Sequence, residues 1–96
     1  MIKSFGSKGT EDIYHGVDSR EARKIPQTIW NVACRKLDML SAAIRLEDLK
    51  APPGNRLEAL KGDKKGRYSI RINDQYRIIF AFKDGNVYEV EITDYH

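Results

Sequence analysis

The residues of this chain best suited to chemistry are Asp94, Tyr95 and His96, an acid, a phenol and an imidazole in succession after an alternating apolar pattern. Histidine both gives and takes a proton near neutral pH, and a neighbouring carboxylate can set its charge state and orientation. The second chemical feature is cationic. Between Arg56 and Arg77 stand seven basic residues, Arg56, Lys61, Lys64, Lys65, Arg67, Arg71 and Arg77, against three acids, Glu58, Asp63 and Asp74. The net charge of the whole chain is only +3, so its positive surplus lies in this one stretch. Within it, Lys61-Gly62-Asp63-Lys64-Lys65-Gly66 is basic and glycine-punctuated but lacks the spacing of a nucleotide-cradling loop, and reads as a mobile turn able to grip phosphate. Proton transfer beside a bound anion is the chemistry these residue types offer.

The elements that must position them follow from periodicity. Ile2 to Phe5 reads as a first strand, and Thr10 to His15, followed by Gly16, as a short helix ended by a left-handed glycine. From Pro26, a good first helical residue, Ile29, Val32, Ala33, Leu37, Leu40 and Ile44 recur at three- and four-residue steps. The spacing predicts one amphipathic helix ending near Leu46 to Leu49, because Ala51-Pro52-Pro53-Gly54-Asn55 cannot continue it. After Gly66 the period changes to two, and Tyr68 to Ile72, Tyr76 to Phe82 and Tyr88 to Ile92 read as a three-strand antiparallel meander. Fold class is therefore α+β, one domain over residues 1–96: an antiparallel sheet, the first strand plus the meander, packed on one face by the N-terminal helices.

Register can be argued further, because a one-residue slip would turn every core side chain outward. Placing Tyr68, Ile70, Ile72, Ile78, Phe80, Phe82, Tyr88, Val90 and Ile92 on one face pairs Ile72 with Tyr76 and Phe82 with Tyr88. Both turns then become three-residue loops, Asn73-Asp74-Gln75 and Asp84-Gly85-Asn86, although Asp84-Gly85 is also a good two-residue turn. In this register Arg71 stands opposite Arg77, with Thr93 continuing the row and Tyr95 and Glu91 diagonal to Arg77. Like charges paired across strands repel. Either Glu91 and its neighbours form a compensating salt-bridge lattice, or this face awaits an anion. Asp94 and His96 point away from Tyr95 if the strand stays regular, so either the chain bulges after Thr93 or only some of the three act together.

Composition excludes other classes. No apolar run is long enough to span a bilayer, and Met1-Ile2-Lys3-Ser4-Phe5 lacks the apolar core of a signal peptide, which predicts a cytoplasmic protein without membrane partners. Cys34, the single cysteine, reads as a semi-buried thiol in a reducing compartment. The two histidines lack zinc-ligand spacing, so no metal and no cofactor is expected.

Three strings carry a resemblance over essentially the whole chain: Pro52-Pro53-Gly54-Asn55-Arg56-Leu57-Glu58-Ala59-Leu60-Lys61-Gly62-Asp63, Tyr68-Ser69-Ile70-Arg71-Ile72-Asn73-Asp74-Gln75-Tyr76-Arg77-Ile78, and Asp94-Tyr95-His96. The sequence resembles the HigB toxins of bacterial type II toxin–antitoxin systems, within the RelE/ParE superfamily. The resemblance implies a RelE-like, microbial ribonuclease-type fold. It also implies a toxin that is a ribosome-dependent messenger RNA endoribonuclease, cutting translated message in the aminoacyl site by metal-independent transesterification through the 2′-hydroxyl. The implied partners are the ribosome, messenger RNA and a HigA-like helix-turn-helix antitoxin that neutralises the toxin in a heterotetramer and alone contacts operator DNA. A gyrase-inhibiting toxin of the ParE kind and a weakly active binding module of the same fold are the alternatives.

On that reading the catalytic candidates are His96 as acid or base, Asp94 as the residue that sets it, Tyr95 as a base or phosphate contact, Arg77 as first cation at the scissile phosphate, and Lys61 as second. Several family members carry histidine where this chain has Glu58, which leaves His96 as the catalytic histidine; Glu58 is a further candidate base if burial raises its pKa, or else it pairs with Arg56 or Lys61. Arg56, Lys64, Lys65, Arg67 and Arg71 are the RNA-binding candidates.

Overall fold

The computed structural model of the chain describes residues 1–95. It contains two α-helices, α1 (Lys8–Tyr14) and α2 (Trp30–Ala42), and a four-stranded antiparallel sheet of β1 (Glu58–Ala59), β2 (Arg67–Arg71), β3 (Tyr76–Lys83) and β4 (Asn86–Asp94) in that spatial order. Helices cover one sheet face and leave the other open. The core between them holds Ile13 of α1, Ala33, Leu37 and Leu40 of α2, and Ile70, Ile72, Ile78, Phe80, Val87, Val90 and Ile92 of the sheet region.

α1 begins where Ser7 caps it, its Oγ accepting from the Thr10 amide. It ends at the left-handed Gly16, with φ +74°. Thr10 also fastens the helix to the sheet, its fully buried hydroxyl accepting from the Ile92 amide at 2.9 Å. The predicted long helix is broken. α2 stops at Ala42, and a separate single turn, Leu46–Lys50, follows. Asp48 is the reason: its Oδ2 accepts from the amides of Ile44 and Arg45, each at 3.0 Å, which starts the new turn in place of a continued helix. Ile44, expected on the apolar stripe, is instead 75% exposed at the break.

Within the meander, Ile70 pairs with Ile78 and Arg71 with Arg77 as the pattern requires, and the first turn is the expected three-residue loop. Asn73 closes it, its Oδ1 accepting from the amides of Gln75 and Tyr76. The second turn differs. Lys83 pairs with Asn86 around a two-residue Asp84-Gly85 turn, both residues at positive φ (52° and 78°), so Phe82 faces Val87 rather than Tyr88. A bulge then restores the register, since Phe80 alone stands opposite Glu89 and Val90, and Glu89 takes φ +51°. From Ile79 opposite Glu91 to Arg77 opposite Thr93 the pairing is the expected one. Tyr88 pays for the shift by moving to the open face opposite Ala81, and Val87 takes its place in the core.

The predicted first strand is also revised. Ile2 and Phe5 make only two parallel bridges, to Val87 and Val90, because the bulge interrupts the β4 edge between them. The Glu89 amide donates instead to Ser4 Oγ at 2.9 Å. The fourth strand of the sheet is Glu58–Ala59, which pairs with Ser69 and Tyr68.

Candidate active site

Three side chains of the open face, Ser69, Glu58 and Tyr95, cluster around Arg77. Pairing places Arg71, Arg77 and Thr93 in one row and Glu58, Ser69, Ile79 and Glu91 in the next. Arg77 is 8% exposed and is held from behind. Its Nε donates to Ser69 Oγ at 2.8 Å, and its Nη2 donates to the Arg56 carbonyl at 2.6 Å and to the Ser69 carbonyl at 3.4 Å. The Glu58 carboxylate stands 3.9 Å from the same Nη2. The Tyr95 ring lies over the guanidinium, 5.8 Å from its centroid to Cζ. Of the five guanidinium N–H groups, the two on Nη1 make no hydrogen bond among the described residues, so this edge of a buried cation remains for an incoming anion.

The loop before β1 supplies one of the acceptors of Arg77, the Arg56 carbonyl. That loop contains the single turn Pro53–Asn55 and then Arg56 in the left-handed conformation, φ 45° and ψ 57°. Asn55 is completely buried. Its Oδ1 accepts from Lys36 Nζ on α2, and its Nδ2 donates to the carbonyls of Leu49 and Ala51 at 3.2 and 3.3 Å. Burial first, and then the charges of Arg35 and Arg71, push the Lys36 ammonium below the usual lysine range.

The terminal cluster is divided as alternation requires. The ladder continues beyond β4, with the Tyr95 amide donating to the Gln75 carbonyl at 2.7 Å. Tyr95 therefore sits on the Arg77 side, while Asp94 pairs with Tyr76 and accepts from Gln75 Nε2 at 3.0 Å. His96 lies outside the described residues. A shallow depression of about 330 Å³ is lined by Lys64, Ile79, Thr93, Asp94 and Tyr95, of which Tyr95 is the residue in contact with Arg77. A larger one, about 510 Å³, opens at the opposite end of the sheet around Ser4, Lys83 and Tyr88, where none of the candidate residues stands. Size is no guide to the site here; the buried guanidinium is.

The remaining cations sort into two groups. Lys61, Lys64 and Lys65 are exposed in the turn between β1 and β2, flanked by Gly62 and Gly66 at φ +70° and +91°, and make no ion pair among the described residues. Arg67 and Arg71 are already partnered, Arg67 Nη2 by Glu89 Oε2 at 2.7 Å and Arg71 by Asp74. The expected repulsion between Arg71 and Arg77 is thus relieved locally by Asp74 and Glu58 rather than by Glu91. Arg56 exposes its side chain and contributes its carbonyl inward. Among the described residues no group of histidine, cysteine and acidic side chains is arranged to hold a metal ion, and no helix is long and apolar enough to cross a membrane. The Cys34 thiol, pushed up by burial, donates to the Ile13 carbonyl and plays no part in this cluster.

Sequence reasoning missed Ser69 and Asn55, the two buried polar residues that set the cation. A signal for Ser69 existed: in the derived register it stands diagonal to Arg77 on the same face. Nothing comparable pointed to Asn55, whose partners come from α2 and from its own loop.

Comparison with known proteins gives the architecture a context. Residues 3–96 match the family described as RelE-like toxin of type II toxin-antitoxin system HigB. Toxin HigB-1 of Vibrio cholerae serotype O1 is 47% identical over 85 residues, covering 88% of this chain and 87% of that protein. Endoribonuclease HigB of Proteus vulgaris is 30% identical over 101 residues, covering 100% of both. Among solved structures, a point mutant of YafQ from E. coli superposes with a TM-score of 0.67 at 14% identity over 99% of this chain and 92% of the other. YoeB in its heterotetrameric complex with YefM from Staphylococcus aureus gives 0.61 at 17% identity over 100% and 98%, and these two likenesses show the shared fold. From the family match and the 47% identity of a HigB toxin over most of its length, this chain belongs to the HigB-like, RelE-type toxin family of type II toxin–antitoxin systems.

Proposed function

We propose that this toxin is a ribosome-dependent endoribonuclease that cuts messenger RNA during translation, in the cytoplasm and without a metal, and that a HigA-like helix-turn-helix antitoxin neutralises it in a heterotetramer. The observation that carries this reading is the buried Arg77 guanidinium, fixed by Ser69 and the Arg56 carbonyl, with the Glu58 carboxylate and the Tyr95 ring beside it. The homologue named Endoribonuclease HigB supports it.

Attack of a ribose 2′-oxygen on the adjacent phosphorus forms a P–O bond, breaks the bond to the 5′-oxygen and yields a 2′,3′-cyclic phosphate. One group takes the 2′-hydroxyl proton, another protonates the departing 5′-oxygen, and cations stabilise the charge that grows on phosphorus-bound oxygens. Arg77 is assigned the phosphate through Nη1, with Lys61 as a second cation and Arg71 as an auxiliary one. His96 is assigned the acid or base role, with Asp94 setting its state. Glu58, 3.9 Å from Arg77, is the alternative base. Tyr95 holds the guanidinium plane and offers its outer ring face to RNA. Arg56, Lys64, Lys65 and Arg67 are assigned to the RNA backbone.

Mapping messenger RNA ends after induction of the wild-type chain, His96→Ala and Glu58→Gln tests the reading. Codon-phased cuts are expected from the wild type and are expected to disappear with the residue that moves the proton. Undiminished cutting by His96→Ala removes His96 from the mechanism. Intact message together with blocked DNA supercoiling replaces the reading with gyrase inhibition.

A further inference from the structure

The motif Pro52-Pro53-Gly54-Asn55-Arg56 holds no residue that faces the depression, yet it contains the one asparagine buried to 0% exposure. A buried side-chain amide costs free energy unless its donors and acceptor are used. Here all are used, and all on elements that converge behind Arg77. Lys36 of α2 donates to Oδ1, Nδ2 donates to the carbonyls of Leu49 and Ala51, and the Asn55 amide donates to the Pro52 carbonyl at 2.9 Å. Asn55 thereby ties the loop to α2 and to the segment that precedes it. The next residue is Arg56, at φ 45°, a conformation that a non-glycine residue holds only when its surroundings impose it. That conformation aims the Arg56 carbonyl at Arg77 Nη2, 2.6 Å away.

We infer that Asn55 is a positioning residue for catalysis: by fixing the Arg56 carbonyl, it sets the orientation in which the Arg77 guanidinium presents Nη1 to the substrate phosphate. The inference rests on the assignment of Arg77 to the scissile phosphate. The cation's charge does not depend on Asn55, whereas its direction does. Ser69 holds the guanidinium through Oγ at Nε and more loosely through its carbonyl at Nη2, with the Tyr95 ring over it; the Arg56 carbonyl at Nη2 is the shortest of these contacts, and its loss loosens the outer end of the group.

The test uses the full-length protein, labelled with ¹⁵N, as wild type, Asn55→Ala and Arg77→Lys. The Arg77 Nη2–H resonance, assigned by its absence in Arg77→Lys and donated to the Arg56 carbonyl, is expected to be protected from solvent exchange in the wild type. It should lose protection by tenfold or more in Asn55→Ala, on the order of what release of a local anchor allows. On ribosome-bound message, Asn55→Ala is expected to lower kcat on the order of 10- to 100-fold, with KM changed less than about twofold. The same substitution in the Arg77→Lys background should have less than about a threefold effect, because the group through which it acts is gone. Should Asn55→Ala fail to give a cooperative unfolding transition, Lys36→Met removes the donor to Oδ1 at a half-buried position of α2 and leaves Asn55 in place, and the same directions apply. Unchanged Nη2–H protection overturns the inference, as does an equal loss of kcat in both backgrounds. If the wild-type chain cuts no RNA, the endoribonuclease reading fails, and the resonance alone decides whether Asn55 orients Arg77.

Discussion

Ser69→Ala is the sharpest probe of how the sheet holds its cation. Ser69 is fully buried on β2, and its Oγ is the acceptor for Arg77 Nε at 2.8 Å. The substitution deletes one oxygen and leaves the rest of the side chain, so little cavity is created. It also leaves an N–H of a permanent cation without an acceptor at a site that is 8% exposed, where water cannot readily replace it. A hydrogen bond to a charged group contributes about 1.5–3 kcal/mol, and an orphaned charged donor costs a similar amount. We therefore expect a loss of about 2 kcal/mol. For a domain of this size that lowers Tm by roughly 8–16 °C and the urea midpoint by about 0.7–2 M. In an Arg77→Met background the donor is absent, and Ser69→Ala should then cost less than about 0.5 kcal/mol. Urea unfolding of the four proteins, followed by circular dichroism, measures the cycle. A single-mutant loss below about 0.5 kcal/mol, or an equal loss in both backgrounds, refutes the claim that Ser69 holds Arg77.

Arg56→Gly should stabilise the fold by about 1 kcal/mol by relieving the left-handed backbone, while weakening RNA binding if the exposed side chain touches phosphate; unfolding midpoints and a binding titration measure the two effects separately. Replacing Lys64 and Lys65 together by serine should raise KM and reduce the slope of log affinity against log salt by about 1.4, the value for two phosphate contacts to a single strand, with stability unchanged. Asp12 is held below its ordinary carboxylate range by the Lys8 ammonium and then by the Ser19 hydroxyl. Its contribution is therefore complete above about pH 4 and fades as pH falls through the lowered value. Asp12→Asn should flatten that acid limb of the stability profile and leave the neutral-to-alkaline part parallel to wild type, as measured by thermal unfolding across pH 2–8.

Much of the site's placement was legible before any coordinates. Alternation from Tyr68 to Ile92 required Arg71 opposite Arg77 and Arg77 opposite Thr93, and both pairings stand. The same alternation separated Tyr95 from Asp94, as the ladder through Tyr95 bears out. The second turn shows where such reasoning stops. Core burial demanded one register and Asp84-Gly85 favoured another, and the chain satisfies both with a bulge at Glu89, sacrificing only the expected place of Tyr88. No period in the sequence announces a bulge, because it is a compromise between two local rules.

What the sequence by itself determined was the α+β class, the meander and the row of charges across it, since period and side-chain direction are properties of neighbouring residues. The tertiary structure alone decided how Arg77 is held. Its acceptors are a serine one row away and the carbonyl of Arg56, a backbone atom that no residue type reveals. That carbonyl is in place because Asn55 reaches across to Lys36, 19 residues earlier on α2. Period fixes a face; only the meeting of distant segments, each satisfying the other's buried polar groups, fixes the direction in which a cation on that face points.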